Sequence, residues 1–406
     1  MAALLHFLRH ADWLDGRRAR AYRAILIGVT LLVALGWLLG AHGGQDAAGK
    51  AIGTDFVAFW AAGGLALHGA PAAAYHVARI YAAERAAFAF DPGVAPFYYP
   101  PPYLLLCLPL AILPYFVALA AWLAATGLAY AMVVRRWLEG IPHPLLTILA
   151  YPAVMVCVGH GQNAFLTAAL LGGGLLLVER RPWLAGLLLG SLVLKPQLAI
   201  CLPVALAVRG EWRAFVATGM TALAWAAAAT LAFGAPIWQA FLAVGSVAAR
   251  AQLDQGLVDP AKMVSLYGAI RVLGGGGVLA YAAQTCAGLA VVGGLIRVAR
   301  AKAPAMAQNA VLAAGTLLVS PYMFDYELTI AALPMAWLLS RGIADGFRPW
   351  TRLILATGFA LPLFGRGLAM GLHLPLAPVV LAALFWACCR EARQQAAAVR
   401  SSPCHR

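Results

Sequence analysis

The chain has 406 residues, 63% of them hydrophobic and 11% charged. That balance excludes a water-soluble domain and fits an integral membrane protein with many helices. A net charge of +14 does not point to nucleic acid: the basic residues sit in short clusters between apolar runs, which is the signature of cytoplasmic loops facing anionic headgroups.

Those clusters are Arg17, Arg18, Arg20 and Arg23; Arg135 and Arg136; Arg180 and Arg181; Arg209 and Arg213; Arg297, Arg300 and Lys302; Arg341, Arg348 and Arg352; and Arg390 and Arg393. Most of the seven cysteines fall in or beside apolar runs, and no CxxC spacing occurs. Neither disulfides nor a metal cluster is expected, and no cofactor.

Residues 4–13 place Leu4, Leu5, Phe7, Leu8 and Trp13 among basic groups, which suits a short helix on the inner membrane surface. Residues 22–41 form the first crossing, read as a retained signal anchor. The loop 42–100 loses the basic bias and is assigned to the external side. Within it, Thr54 or Asp55 can cap a helix over 56–67 that stops at His68-Gly69 before Pro71. A second helix over 77–90 has Val77, Ile80, Tyr81 and Phe88 on one side and Glu84 and Arg85 elsewhere, as an interfacial helix would. Tyr99-Pro100-Pro101-Pro102-Tyr103 cannot be a helix interior. A short helix over 102–111 and a crossing over 114–134 follow.

Residues 145–158 are expected to cross outward, 159–163 to turn outside, and 164–178 to return. The stretch 183–208 begins and ends at basic clusters. Each half is about a dozen residues, too short at about 1.5 Å per residue to cross about 30 Å of hydrocarbon. A buried hairpin with Leu194-Lys195-Pro196-Gln197 at its tip is expected. Then come a crossing over 215–233, an external segment 234–262 with Asp254 and Asp259, and an interfacial helix over 263–273. After Gly274–Gly277 follow crossings over 278–299, 305–319, 328–340, 351–364 and 376–389, with 366–373 external. The total is ten crossings plus the hairpin in one polytopic domain spanning 1–406, both termini cytoplasmic.

This topology gathers the unusual polar groups on one face. Asp55, Tyr98, Tyr99, His160, Gln162, Asn163, Tyr322, Asp325, Tyr326, Glu327 and Arg366 lie outside, and Lys195 lies at depth. Ionisable groups at membrane depth are costly and are functional candidates by default. Asp55 is equally a helix cap on this reading. Asp325 and Glu327 can pair with Arg366. Lys195 needs an anion partner, either a carboxylate or a bound phosphate.

Several motifs together resemble the bacterial polytopic glycosyltransferases of family 87 in the GT-C class. They are Thr54-Asp55-Phe56, Leu67-His68-Gly69-Ala70-Pro71 before Tyr75, Tyr99-Pro100-Pro101 followed by Pro109 to Pro114, Gly161-Gln162-Asn163, Leu194-Lys195-Pro196-Gln197, and Ser320-Pro321-Tyr322. Members include α-mannosyltransferases that use polyprenyl-phosphomannose. The resemblance implies an all-α GT-C-type bundle, a polyprenyl-phosphate-linked sugar donor, a glycan or glycolipid acceptor in the cell envelope, an external active site in the bacterial inner membrane, and a catalytic Asp at Asp55. On this reading Asp55 is the general base of an inverting hexosyl transfer. Tyr99, His160, Gln162, Asn163, Lys195, Gln197, Tyr322, Asp325 and Arg366 are candidates to bind substrate or its phosphate. A transporter or lipid flippase is the rival reading, but such proteins often show repeated halves, and the long loop after the first crossing has no counterpart later in the chain.

Overall fold

The computed structural model describes residues 2–249 and 258–401. Asp254 and Cys404 lie outside the described residues. Helix α1 (Ala2–His10) is amphipathic, with Leu4, Leu5 and Phe7 exposed. Helix α2 (Gly16–Leu39) is capped by Asp15, carries Arg17 to Arg23 in its first turns and has no buried side chain. Helix α3 (Phe56–Leu67) ends at His68, and Gly69 turns the chain with φ of 76°. A 3-10 turn (Pro71–Tyr75) leads to α4 (Val77–Arg85).

Helix α4 is shorter than expected, and Glu84 is fully buried beside Ile80 rather than turned to the polar side. Its Oε2 accepts the Ala95 N–H at 3.2 Å, and that contact folds the loop back over it.

Helix α5 (Pro101–Ala111) begins with two prolines in its first turn, where a missing N–H costs nothing. Helix α6 (Tyr115–Trp137) follows Pro114. The single crossing expected over 145–158 is instead two helices, α7 (Pro144–Leu149) and α8 (Pro152–His160). Pro152 cannot donate to the preceding turn and holds Tyr151 extended, with ψ of 115°. Helix α9 (Ala164–Leu177) is mostly buried.

Helix α10 (Pro182–Gly190) and α11 (Leu202–Val208) are joined by two 3-10 turns, Ser191–Leu194 and Pro196–Leu198, with Lys195 between them. At the far end of α11, Arg209 donates to Asn309 Oδ1 at 2.7 Å, and Asn309 Nδ2 donates to Leu175 O at 2.9 Å. The end of α11 therefore lies close to the end of α9, from which α10 departs.

Helices α12 (Trp212–Phe233), α13 (Pro236–Ala249), α14 (Leu266–Val272), α15 (Gly277–Arg300) and α16 (Ala305–Val319) follow. Where the segment expected on the external side up to residue 327 meets the next expected crossing, Asp325–Ala331 is a 3-10 stretch buried in protein. It is covered by α8, α9 and α16, against which it packs. Helix α17 (Ala332–Asp345) continues it. Helix α18 (Thr351–Leu372) runs unbroken through Pro362 and Arg366, so Arg366 is helical rather than part of an external loop. Helix α19 (Ala377–Ser401) likewise runs well past Cys389.

The expectation of an all-helical membrane protein holds. Among the described residues, five helices are long and apolar enough to cross a membrane: α2, α6, α12, α15 and α18. The expected crossing 376–389 lies within α19, which is 25 residues long, and the other expected crossings fall on shorter helices. Helices α9 and α16 are walled by protein along most of their length, and a helix shielded in this way need not match the hydrocarbon thickness by itself.

Basic helix ends meet at one end of the bundle. Arg23 reaches Pro142 O and Thr147 Oγ1, both at 3.4 Å, Ser340 Oγ reaches Glu139 O at 3.4 Å, and Arg352 pairs with Asp12. At the other end of α6, Tyr115 OH donates to Ile52 O at 2.7 Å and to Gly53 O at 3.1 Å. The turn that carries Asp55 therefore sits at the end remote from Arg135 and Arg136.

Two cores result. The larger surrounds α9, α16, α17 and α19. The smaller, rich in aromatic rings, joins α3, α5 and the start of α6 beneath Asp55.

Candidate active site

Asp55 stands at the first turn of α3, yet its side chain does not cap that helix. The backbone explains why. Asp55 N donates to His160 O at 3.0 Å, which ties this turn to the end of α8. The carboxylate instead accepts from Gln162 Nε2 at 3.0 Å. Thr54 does not cap either, because its Oγ1 lies 2.9 Å from His160 Nδ1. The same imidazole nitrogen is 3.8 Å from Asp55 Oδ2.

The close contact depends on Gly161. It ends α8 in the left-handed region with φ of 65°, and a Cβ there would come within 2.7 Å of Phe56 Cβ. Glycine alone lets the α8 terminus approach the Asp55 turn so closely.

Gln162 is the hub. Its Oε1 accepts from Tyr99 OH at 3.2 Å and from Asn163 N at 2.8 Å, while its amide nitrogen serves Asp55. With Oε1 taken up by two donors, the amide can only point its NH₂ at the carboxylate. Gln162 is 3% and Asn163 0% exposed, so the second half of the turn expected at 159–163 is buried in protein.

Beneath it, Asn163 Oδ1 accepts from Lys195 Nζ at 3.0 Å, and Lys195 forms an ion pair with Glu327. The lysine also lies 4.9 Å from the Tyr326 ring centre and 5.8 Å from that of Tyr99. Glu327 therefore pairs with Lys195, not with Arg366. Asp325 faces Arg366, at 3.7 Å. Burial pushes the Asp325 carboxyl upward, while His160 and Arg366 pull it the other way.

Asp55, Tyr99, His160, Gln162, Asn163 and Lys195 thus form one continuous cluster, with Asp325 and Arg366 beside it. Gln197, half-buried on the turn after Lys195, adds no side-chain hydrogen bond to it among the described residues. Tyr322 packs instead with Met263 and Tyr267 in a satellite core. Sequence reasoning missed the Thr54–His160 contact and the Glu327–Lys195 pair. The signal for the pair was present: a lone deep lysine demands an anion, and an acid-bearing stretch follows α16.

Chemically, the cluster is graded. At its open end is a carboxylate about one-third exposed (34%), oriented by a fixed amide. At its closed end a buried ion pair holds the scaffold. An acceptor-only carboxylate reachable from outside and locked in orientation can take a proton from a hydroxyl group.

A polytopic helical bundle with such a cluster at one end of its helices is the setting of a membrane-embedded transferase. The sequence model of Glycosyltransferase family 87 matches residues 97–321, more than half of the chain. The chain belongs to that family and is a multi-pass membrane glycosyltransferase. The matched stretch includes Tyr99, His160, Gln162, Asn163, Lys195 and Gln197, while Asp55, Asp325 and Arg366 lie beyond it. No curated protein and no solved structure matches the chain.

Proposed function

We propose that the protein transfers a hexosyl residue, with mannosyl the first candidate, from a polyprenyl-phosphate-sugar donor to a cell-envelope glycan or glycolipid. The reaction inverts the anomeric centre and takes place on the external face of a bacterial inner membrane, with both termini in the cytoplasm. The observation that carries this reading is the Asp55 carboxylate, part-exposed, held by Gln162 and set beside His160.

Asp55 accepts the proton of the acceptor hydroxyl as its oxygen attacks C1 of the sugar. The bond from C1 to the phosphate oxygen breaks, and the lipid phosphate leaves as a stable anion. That anion needs positive charge rather than a proton. Lys195 is already neutralised by Glu327, so Arg366, a third exposed and only loosely held by Asp325 at 3.7 Å, is the better-placed cation, with His160 beside it. Tyr99, stacked on Tyr103 with ring centres 4.3 Å apart, offers a flat wall for a sugar or prenyl chain.

Asp55→Asn keeps the shape and removes the base. In membranes supplied with labelled polyprenyl-phosphosugar, transfer is expected to fall by about 10²- to 10⁴-fold. Undiminished transfer by a correctly inserted variant removes Asp55 from this role.

A further inference from the structure

A second polar cleft lies away from Asp55. It lies at the opposite end, has a volume of about 480 Å³, and is lined by Arg9 from α1, Arg348 and Trp350 from the turn before α18, and Trp386, Arg390 and Gln394 from α19. Thr351, at the start of α18, hydrogen-bonds to one of the lining arginines, whereas Arg366 reaches Asp325. Their separation of fifteen residues corresponds to about 22 Å of helix, so this cleft is separate from the Asp55 cluster.

The cleft is built rather than incidental. Trp350 takes a left-handed conformation with φ of 71°, and its N–H donates to Arg9 O at 2.6 Å. Arg390 is pinned from beneath: its NH1 donates to Pro349 O at 2.9 Å, its NH2 to Thr351 Oγ1 at 2.8 Å, and its guanidinium stacks over the Trp386 ring at 4.5 Å. Arg348 donates from Nε to Glu391 Oε2 at 2.6 Å, which fixes the side chain and leaves its two outer nitrogens free of hydrogen bonds to described residues. The Arg9 side chain has no hydrogen bond or ion pair with a described residue.

Three guanidinium groups thus converge with no acid among the lining residues. Glu391, behind Arg348, neutralises only one of them. Arg348, fixed through Nε with its outer nitrogens open, and Arg9, with no acceptor, are donors for a multidentate oxyanion, and Arg390 adds fixed positive charge beside them. The rim is apolar, since Leu5 is 56% and Trp386 48% exposed, and α1 is an amphipathic helix of the kind that lies in the headgroup layer.

We propose that this cleft binds an anionic phosphate group, presented either on a lipid headgroup or by a soluble phosphate. Binding there joins α1 to α18 and α19, so occupancy stabilises the folded protein.

The experiment uses the purified full-length protein in neutral detergent and reads the thermal unfolding midpoint. Three additions are compared: phosphatidylglycerol, phosphatidylcholine at the same mole fraction, and inorganic phosphate against chloride at equal ionic strength. Phosphatidylglycerol is expected to raise the midpoint by several degrees and phosphatidylcholine to leave it nearly unchanged. Arg9→Gln is expected to lose at least half of the shift. So is Gln394→Glu, which puts an opposing charge into the cleft without touching its arginines. Arg17→Gln, an exposed cation outside the cleft, should keep the shift. An equal response to inorganic phosphate, with the same sensitivity to Arg9→Gln, assigns the cleft to soluble phosphate and upholds the site. Equal shifts with both lipids, or an equal loss in Arg17→Gln, overturn it, because either result reduces the effect to general attraction at a basic surface.

Discussion

At the scale of single residues, two buried acids have opposite habits, one in the site and one on α4. Glu327 is buried and satisfied only by Lys195 and its surroundings. Removing the lysine head by Lys195→Met strands a carboxylate in the core, and a loss of about 3–5 kcal/mol is expected. Adding Glu327→Leu should recover much of that loss. Thermal unfolding of the two single variants and the double variant in detergent gives the coupling directly, and a double variant as unstable as the sum of the singles would contradict the pairing. Glu84 behaves differently, since no cation among the described residues pairs with it. Burial raises its carboxyl from the ordinary 4.5 to about 8, with the Ala95 N–H opposing. Between those values the folded chain keeps a proton that the unfolded chain has lost. Stability from this group is therefore highest below pH 4.5, falls as pH rises through the window, and levels off above about pH 8. Glu84→Gln should flatten that slope, leaving the variant more stable than the parent at pH 8.5 by about 2–4 kcal/mol. Melting curves measured from pH 5 to 8.5 check it.

At the scale of elements, close helix contacts made by small residues hold the site in place. A Cβ at Gly63 of α3 would overlap the Cys107 carbonyl of α5, and Gly186 and Gly190 of α10 lie as tightly against α12 at Ala217 and Thr218. Small residues permit backbone approach of this kind in membrane bundles. Gly63→Ala is expected to push α3 from α5 and cost about 2–3 kcal/mol. It should also lower transferase activity, since Asp55 stands at the head of α3; activity assays paired with melting curves would show both effects. Much of this architecture was legible in the sequence. The helix 56–67 is bounded by His68-Gly69 and Pro71, and Pro114 divides 102–111 from 114–134, although Pro109, read as a second divider, lies inside α5. What escaped reading were features decided by distant partners. Helix α18 continues through Arg366, whose charge is met by Asp325, and 325–331 is buried, with its acids answered by Lys195 and Arg366. A window of local hydropathy treats such charges as surface. The cap reading of Asp55 failed for the same reason, because Gln162, over a hundred residues away, takes the carboxylate.

At the scale of the whole molecule, function and anchorage separate along the helix axes. One end carries the Asp55 cluster, and the other carries arginines and the amphipathic α1. The five long helices, set among shorter protein-walled ones, leave the Asp55 cluster backed by aromatic core. The gathering of Asp55, His160, Lys195 and Glu327 from four remote stretches could not be read from any one of them, although a shared membrane face could be inferred from the charge bookkeeping. The Lys195–Glu327 pair also imposes an order in time. Lysine 195 leaves the ribosome about 130 residues before glutamate 327, which at about 5–20 residues per second is roughly 7–26 s. Throughout that interval the tip of the 183–208 segment holds a cation with Asn163 Oδ1 to meet it but no carboxylate, a charge disfavoured in hydrocarbon by about 3 kcal/mol. The tip can settle into its buried seat only when the segment after α16 arrives, so the core of this enzyme is completed late in its own biosynthesis, by a residue made after most of the chain is already in the bilayer.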